Sequence, residues 1–104
     1  MSVQYKVSDS MSIPYRGHLL RLKVASGAPS VKQMMTGARL RVSGPDGEQG
    51  EVEVIGHAKM GGQPTQARLE RTRELDVVIP AAQAVIDGAR IEIGWTVSPL
   101  NGER

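Results

Sequence analysis

The residues of this sequence with chemistry to offer are His18, His57, the isolated aspartates Asp9, Asp76 and Asp87, and two groups of arginine. A protein metal site draws three or four His, Cys or carboxylate ligands together. No Asp or Glu stands at a typical ligand spacing from either histidine, and cysteine is absent. The same absence removes disulfides, iron–sulfur clusters and thiol nucleophiles. No Gly-x-Ser-x-Gly elbow, His-Glu-x-x-His helix or phosphate-binding Walker loop occurs. The run GHAKMGG around His57 and Lys59 neither ends in Lys-Ser/Thr nor opens a helix, and reads as a mobile hairpin tip. No carboxylate pair is spaced for acid–base work. These features predict a protein that is not an enzyme and needs no cofactor or metal.

The arginines offer binding instead. QARLERTRE carries Arg68, Arg71 and Arg73, with Lys59 on the preceding loop, and such a group can contact phosphates. Glu70, Glu74 and Asp76 interleave with it, which favours a salt-bridged, solvated face over an RNA site. Arg16, Arg39 and Arg41 form a second candidate patch. Gly17 and Gly37 at its ends would admit a partner's backbone, although turns explain both equally well. Thirteen Lys and Arg against eleven Asp and Glu leave a formal charge of +2, too little to imply a nucleic-acid partner by itself.

Short strands must position these groups. Apolar residues alternate with polar ones at Val3-Tyr5-Val7, Leu20-Leu22-Val24, Leu40-Val42 and Val52-Val54. RIEIGWTV predicts one last strand with Ile91, Ile93, Trp95 and Val97 on a single face, and ELDVVIP a further strand closed by Pro80. The Pro-Asp-Gly of SGPDGEQG predicts a hairpin on which Arg39 and Arg41 face Glu51 and Glu53. SVKQMMTGA reads as a loop dropping Val31 and Met35 onto the core. TQARLERTREL has helical spacing, with an Arg71/Glu74 pair, but no convincing cap, and is assigned to an irregular strand or short turn. The chain is long enough for one domain over residues 1–104, with 97–104 as a frayed tail. With no Phe, one Trp and two Tyr, a pocket for an aromatic ligand is hard to build, so a small-ligand barrel is a weak alternative. The N-terminus lacks a signal pattern and no apolar run suits a membrane span, which predicts a cytoplasmic protein without a membrane partner.

The stretch VSDSMSIPYRGHLLRLKVASGAPSVKQMMTGARLRVSG, residues 7–44, resembles the start of the second domain of translational GTPases such as elongation factor Tu. Ile13, Arg16-Gly17, Leu20-Leu22-Val24, Gly27, Val31, Gly37 and Leu40-Val42 occupy that family's turn and strand positions, and VIDGARIEIGW looks like its closing turn and last strand. His18 departs from the pattern, standing where the family often has a small residue, and is with Arg16 a candidate partner contact. RLERTRELDVVIP has no clear counterpart. The resemblance implies an all-β fold, a six- to seven-stranded antiparallel β-barrel of the translation-protein type, in which Ile13 plugs one end. It also implies a non-catalytic binding or adaptor module whose partner is a protein or ribonucleoprotein, with RNA contacted through Arg16, Arg39, Arg41 or the Arg68 group. A self-associating structural subunit, joined through a sheet edge or the apolar MSIPY surface, is the alternative from another class.

Overall fold

The computed structural model describes residues 3–57 and 64–100. Its elements are β1 (Gln4–Ile13), β2 (Gly17–Ser26), β3 (Arg39–Ser43), β4 (Gln49–Glu53), α1 (Gln66–Thr72), β5 (Glu74–Ile79), β6 (Val85–Ile86), β7 (Ala89–Arg90) and β8 (Thr96–Pro99). Single 3₁₀ turns occupy Val31–Met34 and Ala81–Ala84. Six strands form one antiparallel sheet in the order β4-β3-β8-β1-β2-β5, and β6 and β7 form a separate hairpin. The expected all-β, antiparallel class is therefore observed.

The sheet is not closed into a barrel. Beyond β4 the chain crosses to β5 and meets it at one isolated bridge, Gly56↔Val78, with Ile55 N–H donating to the Val78 carbonyl at 2.8 Å. The segment following β5 then runs beside the outer edge of β4 and caps it with side chains. Gln83 Oε1 accepts from Glu53 N–H at 2.8 Å and Asp87 Oδ2 from Gln49 N–H at 3.2 Å. Side-chain caps satisfy edge donors without extending the ladder, which protects the edge from intermolecular pairing.

The alternating apolar residues face one core, in which Tyr5, Leu20, Leu22, Leu40, Val42 and Val77 are fully buried. On the opposite face, Arg21 makes a bidentate pair with Asp76 (2.9 and 3.2 Å) and Lys23 lies 3.9 Å from Glu74. The Asp76 carboxylate, by hydrogen bond and charge, raises the Arg21 pKa further. These pairs are exposed and contribute little stability, but they reinforce register. Arg39 reaches Glu51 at 2.6 Å, diagonally across the β3–β4 hairpin that the Pro-Asp-Gly turn predicts.

Five local expectations are corrected. Residues 66–72 are helical: Thr65 caps the N-terminus by accepting from Arg68 N–H at 3.2 Å, and Arg73, at φ 61°, ends it by donating to the Leu69 carbonyl at 2.8 Å. Neither cap uses the common signature of a Glu at N3 or a Gly at C′. The Arg71/Glu74 pair does not form, because Glu74 starts β5 and faces Lys23. Met34, not Met35, is buried, since the 3₁₀ turn rotates Met34 inward while Val31 packs at the core margin. RIEIGWTV is broken by a turn at Ile93-Gly94, where Gly94 has φ 99°; Ile93 is 69% exposed while Ile91 and Trp95 stay buried. Finally, Val97–Pro99 is not tail but part of β8, which pairs with both β1 and β3 in the middle of the sheet.

Tyr5 is the one aromatic hydroxyl in the core. Its Oη has no hydrogen-bond partner, and burial, partly countered by the Arg73 charge, pushes its pKa up to about 12. Leaving a buried hydroxyl unsatisfied costs about 1–3 kcal/mol. Tyr5→Phe is therefore expected to raise stability by about 1 kcal/mol, read from the urea midpoint at unchanged m-value; a destabilised variant would show that the hydroxyl has a partner in solution.

Candidate functional site

A β-bulge decides what stands near His18. In the β1–β2 ladder Val7 faces Leu22, but the register shifts so that Asp9 faces Arg21 and Ser10 faces Leu20. Without that extra residue Asp9 would be carried to the core side and Ser10 outward, because side chains alternate with period two. The bulge instead leaves Asp9 beside Arg21 on the outer face and delivers a neutral hydroxyl to the interior.

His18, on the same face two residues before Leu20, is only 4% exposed. Its Nε2 lies 2.6 Å from Ser10 Oγ, and Ser10 Oγ lies 2.8 Å from the Ile91 carbonyl. The carbonyl only accepts, so the Ser10 hydroxyl donates to it and must accept from His18. That requires a proton on Nε2, and so excludes the neutral Nδ1–H tautomer. Burial, and secondarily the Arg90 charge, lowers the His18 pKa and so favours the neutral ring, here as its Nε2–H tautomer. A serine nucleophile needs a histidine that accepts its proton. Here the proton is directed to a main-chain carbonyl, and the pair serves to tie β1 and β2 to the segment after β7.

At the far end of the hairpin, Arg16 N–H donates to the Ile13 carbonyl at 3.1 Å, closing a turn with Pro14 and Tyr15 at its centre. Tyr15 has φ 66°, as the third residue of a type II turn requires, a position that glycine or asparagine normally fills. Its side chain is fully exposed. Arg16 Nη2 donates to the His57 carbonyl at 3.0 Å, and His57 Nε2 donates in turn to the Met34 carbonyl at 2.9 Å. Arg16 and His57 thus brace the turn. Ile13 is only half-buried and lies outside the core cluster, so it plugs nothing; the buried side chain at this end is His18.

The sequence-predicted cations are not brought together as one patch. Arg16 belongs to the hairpin tip, while Arg39 and Arg41 project from β3, Arg39 held by Glu51. Arg68, Arg71 and Arg73 are exposed along α1 and its end. Among the described residues none of these three has an ion pair, because Asp76 and Glu74 turn to Arg21 and Lys23 and Glu70 accepts from Gln66 at 2.8 Å. The salt-bridged face expected there is thus displaced onto β2 and β5. Lys59 and most of the GHAKMGG loop lie outside the described residues. Gly17 is approached closely by this chain's own Ile79 carbonyl, whereas a Cβ on Gly37 would meet nothing within 4 Å.

A shallow groove of about 300 Å³ beside β4 is lined by Gly37, Arg39, Glu51, Val52, Glu53 and Gln83. It is polar and half open, unlike the enclosed apolar sites that hold organic ligands. Among the described residues no group of three or more His, Cys, Asp or Glu is placed to hold a metal ion, and no helix is long and apolar enough to cross a membrane.

From the sequence, Tyr15 enters only as part of the apolar MSIPY surface, and its place at the centre of the turn is not singled out. The available signal was the dipeptide Pro-Tyr before Arg-Gly, which puts an aromatic at a turn position suited to glycine. The fold and site together define an all-β domain whose interior polar groups chiefly tie one segment to another. In comparisons with known proteins, no family model, curated protein or solved structure matches this chain.

Proposed function

We propose that this chain is a non-catalytic binding or adaptor module of the cytosol that presents the β1–β2 hairpin tip to a protein or ribonucleoprotein partner. The observation that carries this reading is Tyr15, a fully exposed aromatic at φ 66°. A bulky residue in the left-handed region costs about 1–2 kcal/mol, and such positions cluster where a ligand is held. Tyrosine and arginine are also the side chains that concentrate binding energy at protein interfaces. Arg16 and His57 hold the tip in place before any partner arrives, which lowers the ordering cost of association. The resemblance of residues 7–44 to translation-factor barrels supports a module of this kind.

RNA contact through α1 is the second reading, favoured by the arginines there that no carboxylate among the described residues engages. One experiment separates the two. Tyr15→Gly is expected to abolish nuclease-resistant capture of the partner from native lysate. It should also raise stability by about 0.5–1 kcal/mol, relief of strain being partly offset by glycine's greater unfolded-state entropy. Capture that survives Tyr15→Gly but disappears with nuclease and with Arg68→Glu/Arg71→Glu would replace the protein reading by the RNA one.

A further inference from the structure

We propose that the Ser10–His18 pair is an acid-sensitive latch, and that protonation of His18 releases the Ile91–Gly94 segment from β1. This inference is independent of the hairpin tip and its partner. In the neutral state the chain His18 Nε2–H to Ser10 Oγ–H to Ile91 O is saturated, each group donating or accepting once along it. A second proton on the ring goes to Nδ1 and places a full charge in a site that is 4% exposed. A buried cation needs a carboxylate or water to be tolerated.

The surrounding elements supply no carboxylate to it. From β7 the facing charge is Arg90, which repels an imidazolium. From β1 the facing groups are the Ser10 hydroxyl and Ser12, which is paired opposite His18. The nearby Asp9 has been turned out by the bulge, where its Oδ1 accepts from Ser10 N–H at 2.9 Å. On β5 the residue opposite is Ile79. On β2 itself the nearest charge, Arg21, is engaged with Asp76. Glu92, on the covering segment, is exposed.

Water is therefore the available partner, and it enters where the cover is held least. The covering segment lies between a two-residue strand and β8. Ser10 Oγ and the Gly94 N–H to Val7 carbonyl bond, 2.8 Å, fasten it to β1. Its residues Glu92, Ile93 and Gly94 are already exposed, while the Ile91 side chain is buried and its N–H donates to the Ala84 carbonyl at 2.9 Å. The β1–β2–β5 ladders have no such opening.

The sign follows from linkage. The open segment restores the ordinary His value of 6.5, above that of the closed state, so the open form binds the proton more tightly. Closure is fully stable above pH 6.5 and weakens as pH falls from there to the closed-state value, below which the loss levels off. Amide exchange followed by NMR, corrected for intrinsic rates, tests this. Protection of the Gly94 amide should fall by up to about tenfold per pH unit in that interval, while that of Val54, bonded to Ala38 on the β3–β4 side, should not. His18→Gln keeps an N–H donor but cannot charge, and should make the Gly94 protection independent of pH. Arg90→Gln, an exposed change, should raise the His18 midpoint and shrink the loss of protection. Gly94 protection that is flat with pH in the unmodified protein, or falls equally in His18→Gln, overturns the latch. Should His18→Gln not fold, an unchanged loss in Arg90→Gln overturns it.

Discussion

Gly17→Ala is expected to cost about 3 kcal/mol or more, or to prevent folding altogether. Two independent constraints meet at this residue. Its φ of 135° belongs to a region that residues with a Cβ rarely enter. A Cβ built there would also stand far inside contact distance of the Ile79 carbonyl oxygen and touch Val78 at 3.4 Å. The obstacle is main chain rather than a side chain that can swing away, so relief requires β2 and β5 to separate where Gly17 enters the ladder. That movement strains the His18↔Ile79 pairing just beyond it. Gly37→Ala is the internal control. It has φ 96° but open space around the missing Cβ, and should cost only about 1 kcal/mol of backbone strain. Urea titration of both variants measures the difference; equal losses would show that the left-handed backbone, and not the approach of β5, is what demands glycine at position 17.

Leu69→Ala is expected to cost about 3 kcal/mol, within the about 2–5 kcal/mol range of large-to-small core changes. Leu69 is the buried residue of α1, and α1 has 7 residues. A helix so short does not form alone in water, because nucleation is unfavourable and few bonds follow it. Its stability comes from Leu69 in the core and from Gln66, which donates to the Pro29 carbonyl at 2.9 Å and accepts from Val31 N–H at 2.8 Å. Removing the leucine side chain leaves a cavity and detaches the one apolar anchor. Helical circular dichroism should fall together with the thermal midpoint. Loss of stability with α1 amides still protected would mean that Gln66 and the Thr65 cap suffice to hold the helix.

Strand positions were legible because period-two alternation survives in one sequence: Leu20-Leu22 and Leu40-Val42 point inward as their spacing requires. The turn at Asp87-Gly88, within VIDGARIEIGW, also rests on a local property, since Asp and Gly tolerate positive φ, here 52° and 81°. The helix was hidden because its caps are Thr65 and Arg73, and an arginine in the left-handed conformation leaves no compositional trace. The break at Ile93-Gly94 was hidden by the unbroken alternation of RIEIGWTV. Only the bonds of Gly94 N–H and Trp95 O to Val7 on β1 reveal that the chain must turn there.

The site divides in the same way. The residue types that make the hairpin turn, Pro14 and Gly17, and the absence of thiols and recurrent catalytic motifs are properties of the sequence alone. Local conformational energies decide such features, and these depend on immediate neighbours. The partners of the polar groups belong to tertiary structure: Ser10 meets His18 through a bulge, Arg16 reaches His57, and Asp76 and Glu74 leave the α1 arginines for β2. Each depends on register between strands far apart in the chain, and a shift of one residue would exchange the inward and outward faces. Charge and spacing determined which residues were able to pair; strand register decided which of them did.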